Sequence, residues 1–331
     1  MFNITNAEAF MQGSEKMKVN EIGPFIYKAR QVKKVNEWSE DYTSLKFQSK
    51  TTYEYDPEDN ILDQNQEIIV PNVLMMTGML KTEVKSQPDF LKKSIVWPIL
   101  TSTGLKKSFV KLKVSEFLWG YEDELACLET AASEPDEYDP FGNFDSFDNF
   151  DSFDQPLDND INGQKSKKTN FRRPEDGKCI FGVLVERNDT WEDEIRILTG
   201  ANSLYNKGQI LDINNSPNFD VWQKRSSCDN LRGSLEPSAL PPPKPDSDAS
   251  FDMMLGIMCR TVRMDPVKSD GQNGTFQRFV MSPRTLEQNY GPNQCFDPIS
   301  DLPNGILSLS KCAEGSPLAV SSPHFLHADP W

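Results

Sequence analysis

The sequence is poor in histidine and lacks both a glycine-rich phosphate loop and a long apolar run; each absence removes a class of function. Only two histidines, His324 and His327, occur in 331 residues. Pro323 precedes them, and neither a cysteine nor a third imidazole lies beside them, so they read as structural rather than as metal ligands. There is no G-x-G triplet, no G-x-x-x-x-G-K-[ST] and no G-x-S-x-G, which excludes the dinucleotide, P-loop and nucleophile-elbow signatures. With no catalytic constellation left, neither an enzyme nor a cofactor is expected. No stretch reaches 18 uncharged apolar residues, so nothing reads as a membrane-spanning helix, and no signal-peptide pattern opens the chain. Basic residues are outnumbered, 35 Lys+Arg against 50 Asp+Glu, for a net charge of -15. A chain of that sign is a poor partner for nucleic acid, where affinity comes from neutralising phosphates.

What is present is unevenly distributed. Between Ala131 and Gly163 lie ten acidic residues and no lysine or arginine, so most of the net charge is local. Within this stretch Phe144-Asp145, Phe147-Asp148, Phe150-Asp151 and Phe153-Asp154 recur every three residues, a period that fits neither a strand face nor a helical stripe. A basic run follows, including Lys165, Lys167, Lys168, Arg172, Arg173 and Lys178. Residues 131–178 are therefore expected to be an acidic, low-complexity, disordered insertion. Asp158 to Gly163 imitates the start of an EF-hand loop, but Thr169 stands where the bidentate glutamate belongs, so a solvated acidic loop is the reading. Asp139-Pro140-Phe141 reads as a turn.

Around the insertion the pattern is that of an α+β protein. Pro24 to Asp56 looks extended; Leu45, Phe47, Thr51, Tyr53 and Tyr55 share one parity, as half-buried antiparallel strands require, and Asp56-Pro57 ends the run. From Asn72 to Leu128 the spacing turns helical, with Val73, Met76, Leu80 and Val84, then Phe117, Tyr121, Leu125 and Leu128 three or four apart. Strands are expected again at Ile180–Val185, Ile195–Thr199, Phe276–Met281 and Ile306–Leu309, with a stiff connection at Pro241-Pro242-Pro243. Strands, a helical cluster, an insertion and strands again is not the alternation of parallel βαβ units.

Six cysteines, 23 prolines and four N-x-[ST] sequons, at Asn3, Asn188, Asn214 and Asn273, jointly favour an exported, glycosylated, disulfide-bonded surface. Cys127 and Cys179 flank the insertion; they either staple its base or stay as two thiols, since sequence alone does not fix pairing.

Several blocks together resemble one family. Asn3-Ile4-Thr5-Asn6-Ala7-Glu8, then Glu21-Ile22-Gly23-Pro24-Phe25-Ile26-Tyr27, is similar to the opening of the ectodomain of class B scavenger receptors. The resemblance continues through Thr52-Tyr53-Glu54-Tyr55-Asp56-Pro57 and Glu116-Phe117-Leu118-Trp119-Gly120-Tyr121-Glu122-Asp123. It returns at Phe181-Gly182, Cys228, Cys259-Arg260, Ser310-Lys311-Cys312 and Pro323-His324-Phe325-Leu326-His327-Ala328-Asp329-Pro330. The blocks stand in family order over residues 1–331, the insertion apart.

The resemblance implies a mostly antiparallel β-barrel body with a hydrophobic tunnel, under a helical apex placed here at residues 72–130. It also implies anchoring in the plasma or lysosomal membrane through helices this chain does not contain, with this segment extracellular or luminal. On that pattern the chain looks like an ectodomain incomplete at its C-terminal end, expected to be unstable or to aggregate alone. The family's function would be to bind lipids, fatty acids or lipoproteins at the apex and pass lipid through the tunnel. The alternative is the family's lysosomal branch, a cargo receptor holding a luminal hydrolase by its apex helices. By family position Cys228 pairs with Cys295 and Cys259 with Cys312, while Asp297 replaces a cysteine that many relatives carry. Lys106 and Lys107 stand near head-binding lysines of relatives, and Lys92 and Lys93 add positive charge; the competing reading is that they only solvate helices. The insertion would be either an anionic arm that competes for the basic apex or an inert spacer.

Overall fold

The computed structural model describes residues 1–13, 16–77, 108–123, 126, 179–222, 226–242, 249–267, 278–288, 290–296, 302–313 and 316–330, and the backbone of 171–172. Residues 78–107, which carry most of the expected helical cluster, the whole Phe-Asp repeat and Cys127 lie outside the described residues.

The described chain is mostly antiparallel sheet with few helices. β1 (Phe2–Ile4) and β2 (Val19–Glu21) form a small ribbon, separated by the short helix α1 (Ala7–Met11). The longest pair is β3 (Tyr27–Trp38) with β4 (Ser44–Tyr55), twelve residues each. The other edge of β4 is taken end to end by β10 (Thr190–Trp191) and β11 (Ile195–Leu198), and β12 (Ile210–Ile213) pairs outside β11. β5 (Glu67–Pro71) pairs with β6 (Phe109–Lys113). β7 (Tyr121–Glu122), β8 (Phe171–Arg172) and β9 (Ile180–Phe181) form a three-stranded sheet, ordered β7-β9-β8. β13 (Phe251–Leu255), β14 (Arg260–Pro266) and β15 (Phe279–Met281) form another, and β16 (Ile306–Ser308) pairs with β17 (Ala319–Ser321). Among the described residues no sheet closes on itself.

Parity explains β4. Phe47 and Ser49 are buried and Thr51, Tyr53 and Tyr55 half-buried, whereas Thr52 and Glu54 on the other parity are exposed. β3 pairs with it residue for residue except at a bulge between Val35 and Glu37, and its outer edge carries no strand among the described residues. Charged side chains and a bulge are the usual devices for blunting such an edge.

The helical expectation for Asn72 to Leu128 is met at residues 73–77 and at α2 (Val114–Trp119), and corrected at Phe109–Lys113 and at Tyr121–Glu122. Phe109-Val110-Lys111-Leu112-Lys113 is a strand, because Val110 and Leu112 lie against Val70 and Ile68 of β5. The strand expected at Ile180–Val185 is shorter, β9 giving way to a 3-10 turn at Val185–Arg187.

Among the described residues the buried apolar side chains form four clusters. One joins β4, β11 and β12 through Phe47, Ile195, Ile197 and Ile210, with Leu231 and Met254. A second gathers Trp222, Cys228, Met258, Val262, Leu286, Phe296 and Leu307. Ile68, Val70 and Val114 make a third, and Val73, Leu74, Ala126, Cys179 and Phe181 a fourth.

Candidate functional site

The inner face of the β3–β4 hairpin is where the described residues bring apolar rings and a cation onto one surface. Register sets it: Tyr27 faces Tyr55, Ala29 faces Tyr53, Gln31 faces Thr51 and Lys33 faces Ser49, so all eight share a side of the sheet. Trp119, the last residue of α2, completes the aromatic end. Its ring stacks on Tyr53 at 5.2 Å and meets Tyr27 edge-on at 5.2 Å, and Tyr27 meets Tyr55 at 5.6 Å. Such pairs are each worth about 0.5–1.5 kcal/mol beyond the area they bury. Burial raises the Tyr27 phenol above its ordinary value.

The indole is aimed there by the way α2 begins and ends. The Glu116 carboxylate accepts the Lys113 N–H at 2.8 Å, capping the first turn. Gly120 then leaves the helix at φ +123°, where a Cβ would lie 2.4 Å from Ile180 Cγ2. A Cβ on Gly182 would lie 2.6 Å from the Gly120 nitrogen. The two glycines therefore let the helix end sit directly on β9, with Trp119 turned toward the hairpin.

At the other end Lys33 Nζ lies over the Phe47 ring, 4.3 Å from its centroid. It donates to the Ser238 hydroxyl and to the buried carboxylate of Glu236, 3.5 Å away. Glu236 in turn accepts the Ser238 N–H at 2.9 Å. From Tyr27 to Lys33 the strand runs about 20 Å at ~3.4 Å per residue. Ala29 and Gln31, between the ends, are exposed.

The opposite face is a set of neutralised charges. Lys28 reaches Asp56 at 2.6 Å, Lys50 reaches Asp189 at 2.7 Å, and Lys46 reaches Glu37 at 3.1 Å. The Lys28 ammonium holds the Asp56 carboxyl below the usual carboxylate range, and Asp56 raises Lys28 in return.

The other sequence-singled residues are dispersed. Cys228 is bonded to Cys295 and Cys259 to Cys312, each with Cα atoms 5.8 Å apart. Cys179 is disulfide-bonded, and no cysteine among the described residues is free; Cys127 lies outside the described residues, as do Lys92, Lys93, Lys106, Lys107 and Asn273. Of the sequons, Asn214 is committed at both ends of its amide, donating to Asp193 and accepting from the Glu194 N–H. Asn3 and Asn188 each use only Oδ1, accepting from the N–H groups of Ile69 and Tyr53. His324 and His327 are exposed, His324 lying 3.5 Å from Glu21. Among the described residues no three potential metal ligands cluster, and no helix is long and apolar enough to cross a membrane.

Lys33, Glu236 and the cage around Trp119 were not among the sequence-singled site residues. The alternation of β4 signals the face, but nothing in sequence announces that residues 33 and 236 meet.

The family model described as "CD36 family" matches residues 1–331. The chain is 25% identical to scavenger receptor class B member 1 of Bos taurus over 333 aligned positions, 99% of this chain and 56% of that protein. It is 27% identical to the Cricetulus griseus protein of the same name, again over 99% and 56%. To lysosome membrane protein 2 of Mus musculus it is 24% identical, over 99% of this chain and 59% of that one. The chain thus spans little more than half the length of the curated relatives it matches.

Proposed function

Because this chain belongs to the CD36 family, we propose that it forms the outward-facing part of a membrane-anchored receptor that binds lipid or lipoprotein and hands lipid along an internal apolar conduit. The observation that carries this reading is the inner face of the hairpin, four rings at one end and a lysine held over Phe47 at the other. An acyl chain gains about 0.8 kcal/mol per methylene moved from water onto such a surface, and a carboxylate or phosphate head needs a cation to meet it. In this reading the face is one wall of the conduit, and the barrel is completed by segments beyond those described. Lys92, Lys93, Lys106 and Lys107 receive anionic heads at the apex.

The test is uptake of a fluorescent long-chain fatty acid by cells displaying the receptor. Trp119→Ala and Tyr53→Ser should each lower uptake about five-fold, the loss of one aromatic contact of ~1 kcal/mol, with surface abundance unchanged. Glu54→Gln, on the opposite face, should leave uptake as it was. Charge reversal at Lys106 and Lys107 should weaken binding of anionic lipoprotein. Uptake untouched by the ring substitutions overturns the wall. The lysosomal-cargo alternative is favoured instead if a luminal hydrolase is retained by the apex while lipid uptake does not saturate.

A further inference from the structure

Among the described residues, Arg260 is a buried charge with no carboxylate beside it. It opens β14, directly after Cys259, and is only 3% exposed. Its guanidinium lies over the Phe296 ring, 3.6 Å from the centroid, and Trp222 meets the same ring edge-on at 5.1 Å. Nε donates to the Thr261 carbonyl at 3.3 Å and one terminal nitrogen to Asn293 Oδ1 at 3.1 Å. The other terminal nitrogen, NH1, is buried and has no partner among the described residues. Among the described residues no carboxylate pairs with it; desolvation alone lowers its pKa to about 10, so it stays charged at neutral pH.

A second unmatched group lies one residue away in the same network. Thr285, 4% exposed, buries its hydroxyl with no partner among the described residues, and its carbonyl accepts from Nδ2 of the same Asn293 at 3.4 Å. Asn293 therefore bridges the two residues whose polar atoms are unsatisfied.

A water molecule would satisfy either atom but not the charge. The Phe296 contact is worth about 0.5–2 kcal/mol, against several for a buried, uncompensated ion. A counter-ion removes that deficit. Arg260 is 3% exposed, so the occupant must be small. We propose that Arg260 NH1 and the Thr285 hydroxyl hold a buried monovalent anion of the chloride class, at the point where Cys259-Arg260 and Cys295-Phe296 are brought together. The preceding residue of each stacked partner is a disulfide cysteine, so the anion seals the junction between the two cross-links. This stands apart from lipid transfer.

Thermal unfolding of the protein as the cell makes it, in sodium gluconate exchanged for sodium chloride at constant ionic strength, tests it. The midpoint should rise with chloride and saturate, and bromide should substitute. Arg260→Gln should abolish the dependence, and Thr285→Val should shift the half-saturating concentration upward about five-fold, one hydrogen bond of ~1 kcal/mol. In case Arg260→Gln does not fold, crystals of the unsubstituted protein grown in bromide should show an anomalous peak within hydrogen-bond reach of NH1. A midpoint indifferent to halide, or a bromide-grown crystal with no peak there, overturns the proposal. So does an Arg260→Gln protein that responds as the parent does. A Thr285→Val response equal to the parent's overturns the two-donor arrangement.

Discussion

Asp56 shows what one residue contributes and how it would be detected. The carboxylate is 2% exposed, accepts the Glu58 N–H at 3.1 Å, and meets the Lys28 ammonium at 2.6 Å. Its pKa is depressed, first by the Lys28 hydrogen bond. A depressed carboxyl stabilises the fold above its unfolded pKa, about 3.9, and loses that contribution as pH falls through the folded value. Asp56→Asn should therefore lower the urea midpoint at pH 7, and the gap from the parent protein should close as pH drops below about 4; a gap constant with pH would place the effect in packing. Sequence discloses half of this. Asp56-Pro57 is legible as the end of a strand, and β4 does end at Tyr55. The partner at position 28 follows from the register of β3 on β4, which pairs Lys28 with Glu54 and leaves its ammonium one step from Asp56.

At the scale of elements, what was legible is what alternates. The parity of Leu45 to Tyr55 marked a half-buried strand, and Ile195–Leu198 and Ile306–Ser308 were visible as short β-branched or apolar runs. The β13–β14 hairpin was not, because its connection is a 3-10 turn at Gly256–Met258 followed by Cys259 at φ +47°, with none of the Asn-Gly chemistry that announces a hairpin. Residues 109–113 misled in the opposite direction: an apolar, lysine-bearing segment beside α2 joins either pattern, and contact with β5 decides it. The join between α2 and β9 is sharper still. Gly120→Ala should destabilise by at least about 2 kcal/mol, since both its φ and the Ile180 contact oppose a side chain. Gly256→Ala, where an added Cβ meets nothing within 4 Å, should be nearly neutral in the same denaturant titration. Equal costs at the two positions would show that the close approach of α2 to β9 is not maintained in solution.

At the scale of the molecule, the described residues form small sheets and four apolar clusters, two of which share Phe219, so cross-links carry more of their cohesion than they would in a compact sandwich. In the chain-entropy account, closing loops of 67 and 53 residues is worth about 4 kcal/mol each. The Cys259–Cys312 bond joins the residue before β14 to the segment between β16 and β17, and the Trp222 indole donates to the Cys259 carbonyl inside the same cluster. The β4–β11–β12 sheet draws on another cluster, around Phe47 and Ile210, which shares Phe219 with the first and includes neither cysteine of that bond. Replacing both Cys259 and Cys312 with serine should therefore act unevenly. Amide exchange should quicken across Phe251–Pro266 and Ile306–Ser321, while Leu45–Phe47 and Ile195–Ile213 keep most of their protection, because local opening follows cooperative units rather than the chain as a whole. Uniform acceleration would mean that the clusters unfold as one body, and that the open inner face of β3 and β4 is held by the far disulfide as firmly as by its own sheet.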